Sequence, residues 1–144
     1  MMTEEQLGEI KQLVEQLKIV LADDNDARKA AEAVLLSTKE GAPDKYAVYL
    51  TAVIMDAEAP PAIKSLACVL LRRNVNGNMD APGPDGSKRT LWAALDAGSQ
   101  DFLKTNLLGS IQQAGTKDLI HKIANLLVEV AGAMYELNDG HEIW

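Results

Sequence analysis

The apolar residues recur with a helical period along nearly the whole chain. The first such stripe, within residues 4–21, consists of Leu7, Ile10, Val14, Leu17 and Leu21. Steps of three and four residues place these side chains on one face of an α-helix. Thr3 followed by Gln6 has the pattern of a capping box at the start of that helix. Because no segment alternates like a half-buried strand, the pattern predicts an all-α protein.

Five further helices follow from the same period and from the turn residues between them. Their predicted ranges are Asp26–Ser37, Asp44–Asp56, Pro61–Val75, Ser99–Gln113 and Thr116–Leu137. Asp24 or Asn25 suits the start of the second helix, and KEGAPD predicts the turn after it. The Gly- and Pro-rich segment from Asn74 to Ser87 predicts an exposed loop, and residues 91–95 a short turn. The helices pair into hairpins at about 4–37, 44–75 and 99–137 of a single 1–144 segment.

An internal repeat relates the second helices of the three hairpins. ARKAAEAVLL begins at Ala27, AIKSLACVLL at Ala62 and LIHKIANLLV at Leu119, and they align without gaps. A helical hairpin that recurs at about 35–45 residues is typical of an α-solenoid. The apolar equivalents, which we expect to pack inside the hairpins, are Ala31, Leu66 and Ile123; Val34, Val69 and Leu126; and Leu35, Leu70 and Leu127.

A second set of equivalent positions is polar or small, and we call it the polar stripe. It consists of Lys29, Ala30, Ala33 and Ser37; Lys64, Ser65, Cys68 and Arg72; and His121, Lys122, Asn125 and Glu129. Their spacing puts them on one helical face, so stacked hairpins would carry a continuous solvent-facing surface. For any single residue of the stripe, simple exposure to solvent without a binding role is as good an interpretation as partner contact. The stripe as a whole favours binding, because the extended face of a solenoid serves recognition.

The two ends of the repeat differ in polarity. Ile63 matches Ile120, and we expect both to pack against the preceding hairpin, whereas the equivalent in the first hairpin is Arg28, paired with Glu32. A charged flank is typical of an N-terminal capping repeat. The last helix is apolar around most of its girth, and Ile143–Trp144 follow it. We therefore expect a piece of a longer solenoid whose apolar end favours self-association.

Composition narrows the classes of partner. Fourteen basic against twenty-one acidic residues give a net charge of −7, which argues against nucleic acid and anionic membranes as partners. The same charge suits a receptor for basic proteins, and equally a chain that is acidic for solubility. A single cysteine excludes an intrachain disulfide and favours an intracellular compartment. No apolar run is long enough for membrane insertion.

The sequence offers little chemistry for catalysis. His121 has no second ligand one turn away, and Cys68 has no neighbouring base, so a small buried thiol is its default interpretation. GPDGSKRT lacks the order of a phosphate loop, and DDND lacks the spacing of an EF-hand. We expect no catalytic residue, no cofactor and no metal site. A small helical enzyme is therefore a weak hypothesis for this chain.

Four segments resemble karyopherin-β (importin-β) nuclear transport receptors. IKSLACVLLRR at 63–73 resembles the second helix of the second HEAT repeat, and DNDARKAAE at 24–32 resembles a segment of the first repeat. LWAALDAGSQDFLKTNLLGSI at 91–111 and NDGHEIW at 138–144 resemble later segments of the same region. The four lie in register over nearly the whole chain. The loop at 74–87 and His141-Glu142-Ile143 depart from the family pattern.

The resemblance implies the N-terminal region of such a receptor, most similar to the importin-beta-3 (Ran-binding) branch. The implied fold is a right-handed α-solenoid of three HEAT-type hairpins, truncated at its C-terminal end, with the second helices on the concave side. The implied function is binding of the small GTPase Ran in its GTP form, which releases basic import cargo proteins. Full-length receptors also contact nucleoporins and shuttle between cytoplasm and nucleus.

The resemblance also implies the residues that contact Ran. They are Lys29, Lys64, Cys68, Arg72, Arg73, His121, Asn125 and Glu129. Arg73 has packing as an alternative role. The alternative to the whole hypothesis is an α-solenoid scaffold for protein–protein interactions that has no part in nuclear transport.

Overall fold

The computed structural model describes residues 2–80, 83 and 86–137, and these residues are helical throughout most of their length. Their seven helices are α1 Glu4–Val20, α2 Asn25–Gly41, α3 Pro43–Met55, α4 Pro61–Val75, α5 Leu91–Ala94, α6 Ala97–Gln113 and α7 Lys117–Leu137. The predicted all-α class is confirmed. None of these helices combines the length and apolarity needed to cross a membrane. The 138–144 segment that carries part of the resemblance lies outside the described residues.

The helix starts are fixed by side chains that accept backbone hydrogen bonds. Thr3 Oγ1 accepts from the Gln6 N–H at 3.1 Å, and Gln6 Oε1 accepts from the Thr3 N–H at 2.9 Å, so the predicted capping box is confirmed. Of the two residues proposed to start α2, the cap is Asp24, whose carboxylate accepts from two N–H groups of the first turn. Asp96 caps α6, which begins at Ala97, two residues before the predicted start.

The turn between α2 and α3 is much tighter than the sequence predicts. Instead of ending near Ser37, α2 continues to Gly41, and Ala42 alone separates it from α3. Lys39 and Glu40 are good helix formers, and the Lys39 ammonium lies 3.7 Å from the Glu40 carboxylate. The α conformation is disfavoured for a residue that precedes proline, so Pro43 makes Ala42 the residue that caps α2 and then starts α3.

The segment between α4 and α5 was predicted as an exposed loop, and this is wrong at Met79. Met79 is buried in the core, and its N–H donates to the Arg89 carbonyl at 2.8 Å. The Asp80 N–H donates to both oxygens of the Glu40 carboxylate, at 3.0 and 3.1 Å. The segment therefore folds back on the end of α2, held there by an apolar anchor and by backbone hydrogen bonds.

The helices pack as pairs, and the pairs pack on one another. Each of α1, α3 and α6 packs against the helix that follows it in its pair, namely α2, α4 and α7. Between pairs, α3 packs on α6 and α4 packs on α7, while α1 contacts both α3 and α4. The short helix α5 inserts Leu91 and Trp92, both buried, beside α7. This arrangement leaves α2, α4 and α7 to carry the polar stripe.

Candidate functional site

The polar stripe is best developed where α4 and α7 lie side by side. Arg72, His121 and Asn125 are exposed, and Lys64 and Glu129 are half-buried. Because the two helices pack along each other, their equivalent positions form one surface. Lys29 is exposed on α2, but α2 packs against α1 and α3, and a cleft lies between it and α4. The predicted continuous surface over three helices is therefore interrupted at this cleft.

Cys68 does not belong to that surface. Its side chain is only 1% exposed, so the prediction that it contacts a partner is wrong. Burial raises the pKa of the thiol to about 12, against the opposing effect of the Lys122 ammonium. The thiol is therefore neutral at physiological pH and acts as a small apolar group beside α7. The interpretation of Cys68 as a buried structural thiol is the one that the structure bears out.

Glu129 has a structural partner that the sequence did not reveal. The Asn76 side-chain amide donates to the Glu129 carbonyl at 2.9 Å and to its Oε2 at 3.0 Å. These bonds tie the C-terminal end of α4 to the middle of α7. Lys122, one of the other stripe residues, pairs with Asp118 one turn earlier on the same helix. Both residues remain at the surface, but each side chain is already oriented by a neighbour.

Arg73 lines the cleft between α2 and α4, whose volume is about 460 Å³. Leu35, Leu66 and Leu70 give the cleft an apolar floor. At one side the Tyr46 hydroxyl accepts from the Asn74 amide at 3.1 Å, and burial raises the pKa of Tyr46 to about 12. Arg73 itself forms no ion pair with any residue that the structure describes. The positive charge of the Arg73 guanidinium is therefore available to a ligand in the cleft.

Apolar side chains are exposed at places that the repeat only partly predicts. Leu108 of α6 and Val128 of α7, with Leu127 and Ala131, line an apolar hollow, and Val128 is 68% exposed. This fits the expected apolar surface on the last helix. Two expectations of burial are wrong, because Val34 is exposed and Ile120 remains 38% exposed. Val34 lines a hollow formed by α1, α2 and the start of α3.

A second cleft, which the sequence analysis missed, lies between residues 76 and 88–93 on one side and α7 on the other. Its wall carries Lys88 and Arg89, and its volume is about 630 Å³. The Arg89 Nε is buried and has no hydrogen-bond acceptor in the part of the chain that the structure describes. The signal for this cleft was present as a Lys-Arg pair next to the Gly-rich segment of an acidic chain. What periodicity could not show is that Asn76 and residues 88–93 lie against α7.

These surfaces suit recognition of another molecule by charge and shape. Within residues 2–80, 83 and 86–137, no three His, Cys, Asp or Glu side chains come together as a metal site would require. No protein-family model matches the chain, and no curated protein shows significant similarity to it. The resemblance to karyopherin-β receptors therefore depends on the four sequence segments alone.

Proposed function

We propose that the chain forms part of a right-handed α-solenoid with three HEAT-type hairpins, α1–α2, α3–α4 and α6–α7. Two features support this. The first helices α3 and α6 pack together, and so do the second helices α4 and α7, as in a stack of hairpins. The gap-free alignment of α4 with α7 then pairs helices that occupy corresponding places. The 76–90 segment and α5 form the connection between the second and third hairpins.

On this scaffold we propose a protein-binding function, with the GTP form of the small GTPase Ran as the partner. The observation that carries the proposal is the repeated exposure of polar side chains on α4 and α7. Arg72, His121 and Asn125 are accessible there, beside the half-buried Lys64 and Glu129. These are positions to which the karyopherin-β resemblance assigns the Ran contact. Cys68 is removed from the set because it is buried.

The mechanism that we propose is competition between ligands for one receptor. Ran-GTP bound to the stripe and a basic import cargo bound elsewhere would disfavour each other, so binding of Ran releases the cargo. The free energy of this coupling is reciprocal, and no chemical step is involved. The net charge of −7 supports a basic cargo. Such a receptor would shuttle between cytoplasm and nucleus through contacts with nucleoporins.

The test measures binding of Ran loaded with GDP or with a non-hydrolysable GTP analogue to the immobilised chain. Stable interfaces bury roughly 1,600 Å² in total, and the accessible stripe is confined to α4 and α7, so we expect affinity in the micromolar range. The GTP form should bind at least about tenfold more tightly than the GDP form, because only a nucleotide-dependent surface of Ran would distinguish them.

Matched variants locate the interface. Arg72→Ala and Asn125→Ala should each weaken binding by about tenfold, a common loss for truncated interface residues. Arg28→Ala removes an equally exposed charge from the flank of α2 and should leave the affinity unchanged. Equal binding of both nucleotide forms, or no binding at all, would refute the Ran proposal. An interface insensitive to Arg72→Ala and Asn125→Ala would refute its assignment to the stripe.

A further inference from the structure

The cleft between residues 76 and 88–93 on one side and α7 on the other is positively charged, although the chain as a whole is acidic. Lys88, Arg89, Asn76 and Thr90 supply its polar lining, and Ala93, Gly132 and Ala133 supply the rest. Among the residues that the structure describes, no acidic side chain lines it. Lys88 is exposed and Arg89 is half-buried, and neither forms an ion pair with the residues that the structure describes.

Among the residues that the structure describes, the positive charges at this cleft exceed the negative ones. Glu129 contacts the edge through its bonds to Asn76, so one carboxylate lies near two cations. The Arg89 Nε is buried and has no hydrogen-bond acceptor among those residues. Partial burial lowers the local dielectric constant, which strengthens the attraction between a half-buried guanidinium and an anion. An anion that enters the cleft would be held by Arg89 from the wall and by Lys88 from the rim.

The small residues of the cleft leave room for more than a single ion. Gly132 is exposed on α7, and a Cβ added there would meet only the Asn76 amide, at 4.0 Å. Ala93 and Ala133 also have small side chains, which leave space in the cleft. The volume of about 630 Å³ lies within the range of ligand sites and exceeds what one carboxylate needs.

We propose that this Lys88–Arg89 cleft binds an acidic segment of a protein partner, with consecutive Asp or Glu carboxylates on the two cations and the segment's backbone over the small residues. Lys88 and Arg89 both line the cleft, so it presents two separate positive charges. An acidic segment can place one carboxylate on each of them, which a single isolated anion cannot do. The site meets the polar stripe at its edge, where Asn76 bonds to Glu129, but its two cations are not stripe residues, so its failure would leave the Ran proposal standing.

The probe is a fluorescein-labelled hexaglutamate peptide, titrated into the full chain while anisotropy is followed. Backbone amide shifts of the ¹⁵N-labelled chain should be largest at Ala93 and Gly132. Binding should weaken at least about tenfold when NaCl rises from about 50 to about 200 mM, since charge attraction at a surface is screened by salt. Absence of binding, or shifts concentrated elsewhere, would overturn the proposal.

Three variants separate this site from general charge attraction. Lys88→Gln/Arg89→Gln should weaken binding at least about tenfold, whereas Lys11→Gln/Lys104→Gln makes the same charge change on α1 and α6 and should weaken it less than about twofold. Gly132→Leu keeps every charge and fills the cleft, so it too should abolish binding. Equal losses in the two charge variants, or unchanged binding by Gly132→Leu, would overturn the proposal.

The last control is a titration of the chain with inorganic phosphate in place of the peptide. If the cleft selects paired carboxylates on a chain, phosphate should shift the same amides only at concentrations at least about tenfold higher than the peptide needs. A tighter response to phosphate than to hexaglutamate would replace the acidic segment by a phosphate group as the ligand, and would thereby refute the proposal.

Discussion

Ile63 and Ile120 provide a direct test of the packing between hairpins. They occupy equivalent places in α4 and α7, and the repeat alone predicts the same burial for both. The structure distinguishes them, because Ile63 is 3% exposed and Ile120 is 38% exposed. Replacement by alanine removes the same three carbon atoms from each side chain, so any difference in cost comes from the surroundings.

The expected costs follow from burial. At about 0.8 kcal/mol per buried methylene, the three carbons of Ile63 contribute about 2.4 kcal/mol, and the cavity left behind raises the loss to about 3 kcal/mol. At Ile120 roughly three fifths of that transfer term applies, about 1.5 kcal/mol, and water fills the space. Alanine returns about 0.4 kcal/mol of helix propensity at both places. Ile63→Ala should therefore cost about 2.6 kcal/mol and Ile120→Ala about 1.1 kcal/mol, a difference of about 1.5 kcal/mol.

The measurement is urea unfolding followed by circular dichroism at 222 nm. Both variants should keep the denaturant slope of the unsubstituted chain, because the surface exposed on unfolding hardly changes. The midpoint should fall clearly for Ile63→Ala and only slightly for Ile120→Ala. Losses equal to within about 0.5 kcal/mol would mean that the two helices are equally enclosed, and the packing argument would be wrong.

Three further predictions concern titration, capping and self-association. Burial raises the pKa of Cys68 from 9.0 and of Tyr46 from 10.0, each to about 12, so the stability they contribute is complete below pH 9 and is lost as the pH rises toward 12. Cys68→Ala should flatten the lower part of that alkaline decline in urea midpoints. Asp24→Ala should cost about 1 kcal/mol of unfolding free energy, because α2 loses its N-cap, whereas Arg28→Ala should cost only tenths. Val128→Lys should shift any self-association seen by sedimentation velocity toward monomer, and an unchanged distribution would exclude the apolar hollow as the contact.

The helices were predictable because their signals are local. The capping box at Thr3, the proline at Pro61 and the apolar period of α1 each involve residues within one or two turns. The predicted range of α4, Pro61–Val75, coincides with the observed one. Where the prediction failed, at the end of α2, the turn-like composition was outweighed by the helix formers Lys39 and Glu40, and Glu40 also accepts a hydrogen bond from the Asp80 N–H. A turn-like composition in KEGAPD could not reveal a bond to a residue forty positions away.

Side-chain exposure was harder to predict, because it depends on what the neighbouring hairpin covers. Periodicity assigned Val34 to the inside and Cys68 to the outside, and both assignments are wrong. The cleft between α2 and α4 also depends on how the first two hairpins pack, which periodicity does not show. α1 packs against both α3 and α4, so the first hairpin does not repeat the side-by-side packing that α4 and α7 show. The sequence repeat does not reveal how the first hairpin is oriented against the second.

Equivalent positions therefore differ in chemistry even where their side chains are alike. Leu71 of α4 is fully buried, whereas its equivalent Val128 on α7 is 68% exposed. In the polar stripe the pair is Cys68 and Asn125, a buried thiol and an exposed amide. A repeat fixes which residue type returns at a position, and the packing of adjacent hairpins decides whether that residue meets solvent. Residues for recognition should accordingly be sought on α7 and on the last turn of α4, where the stripe is accessible.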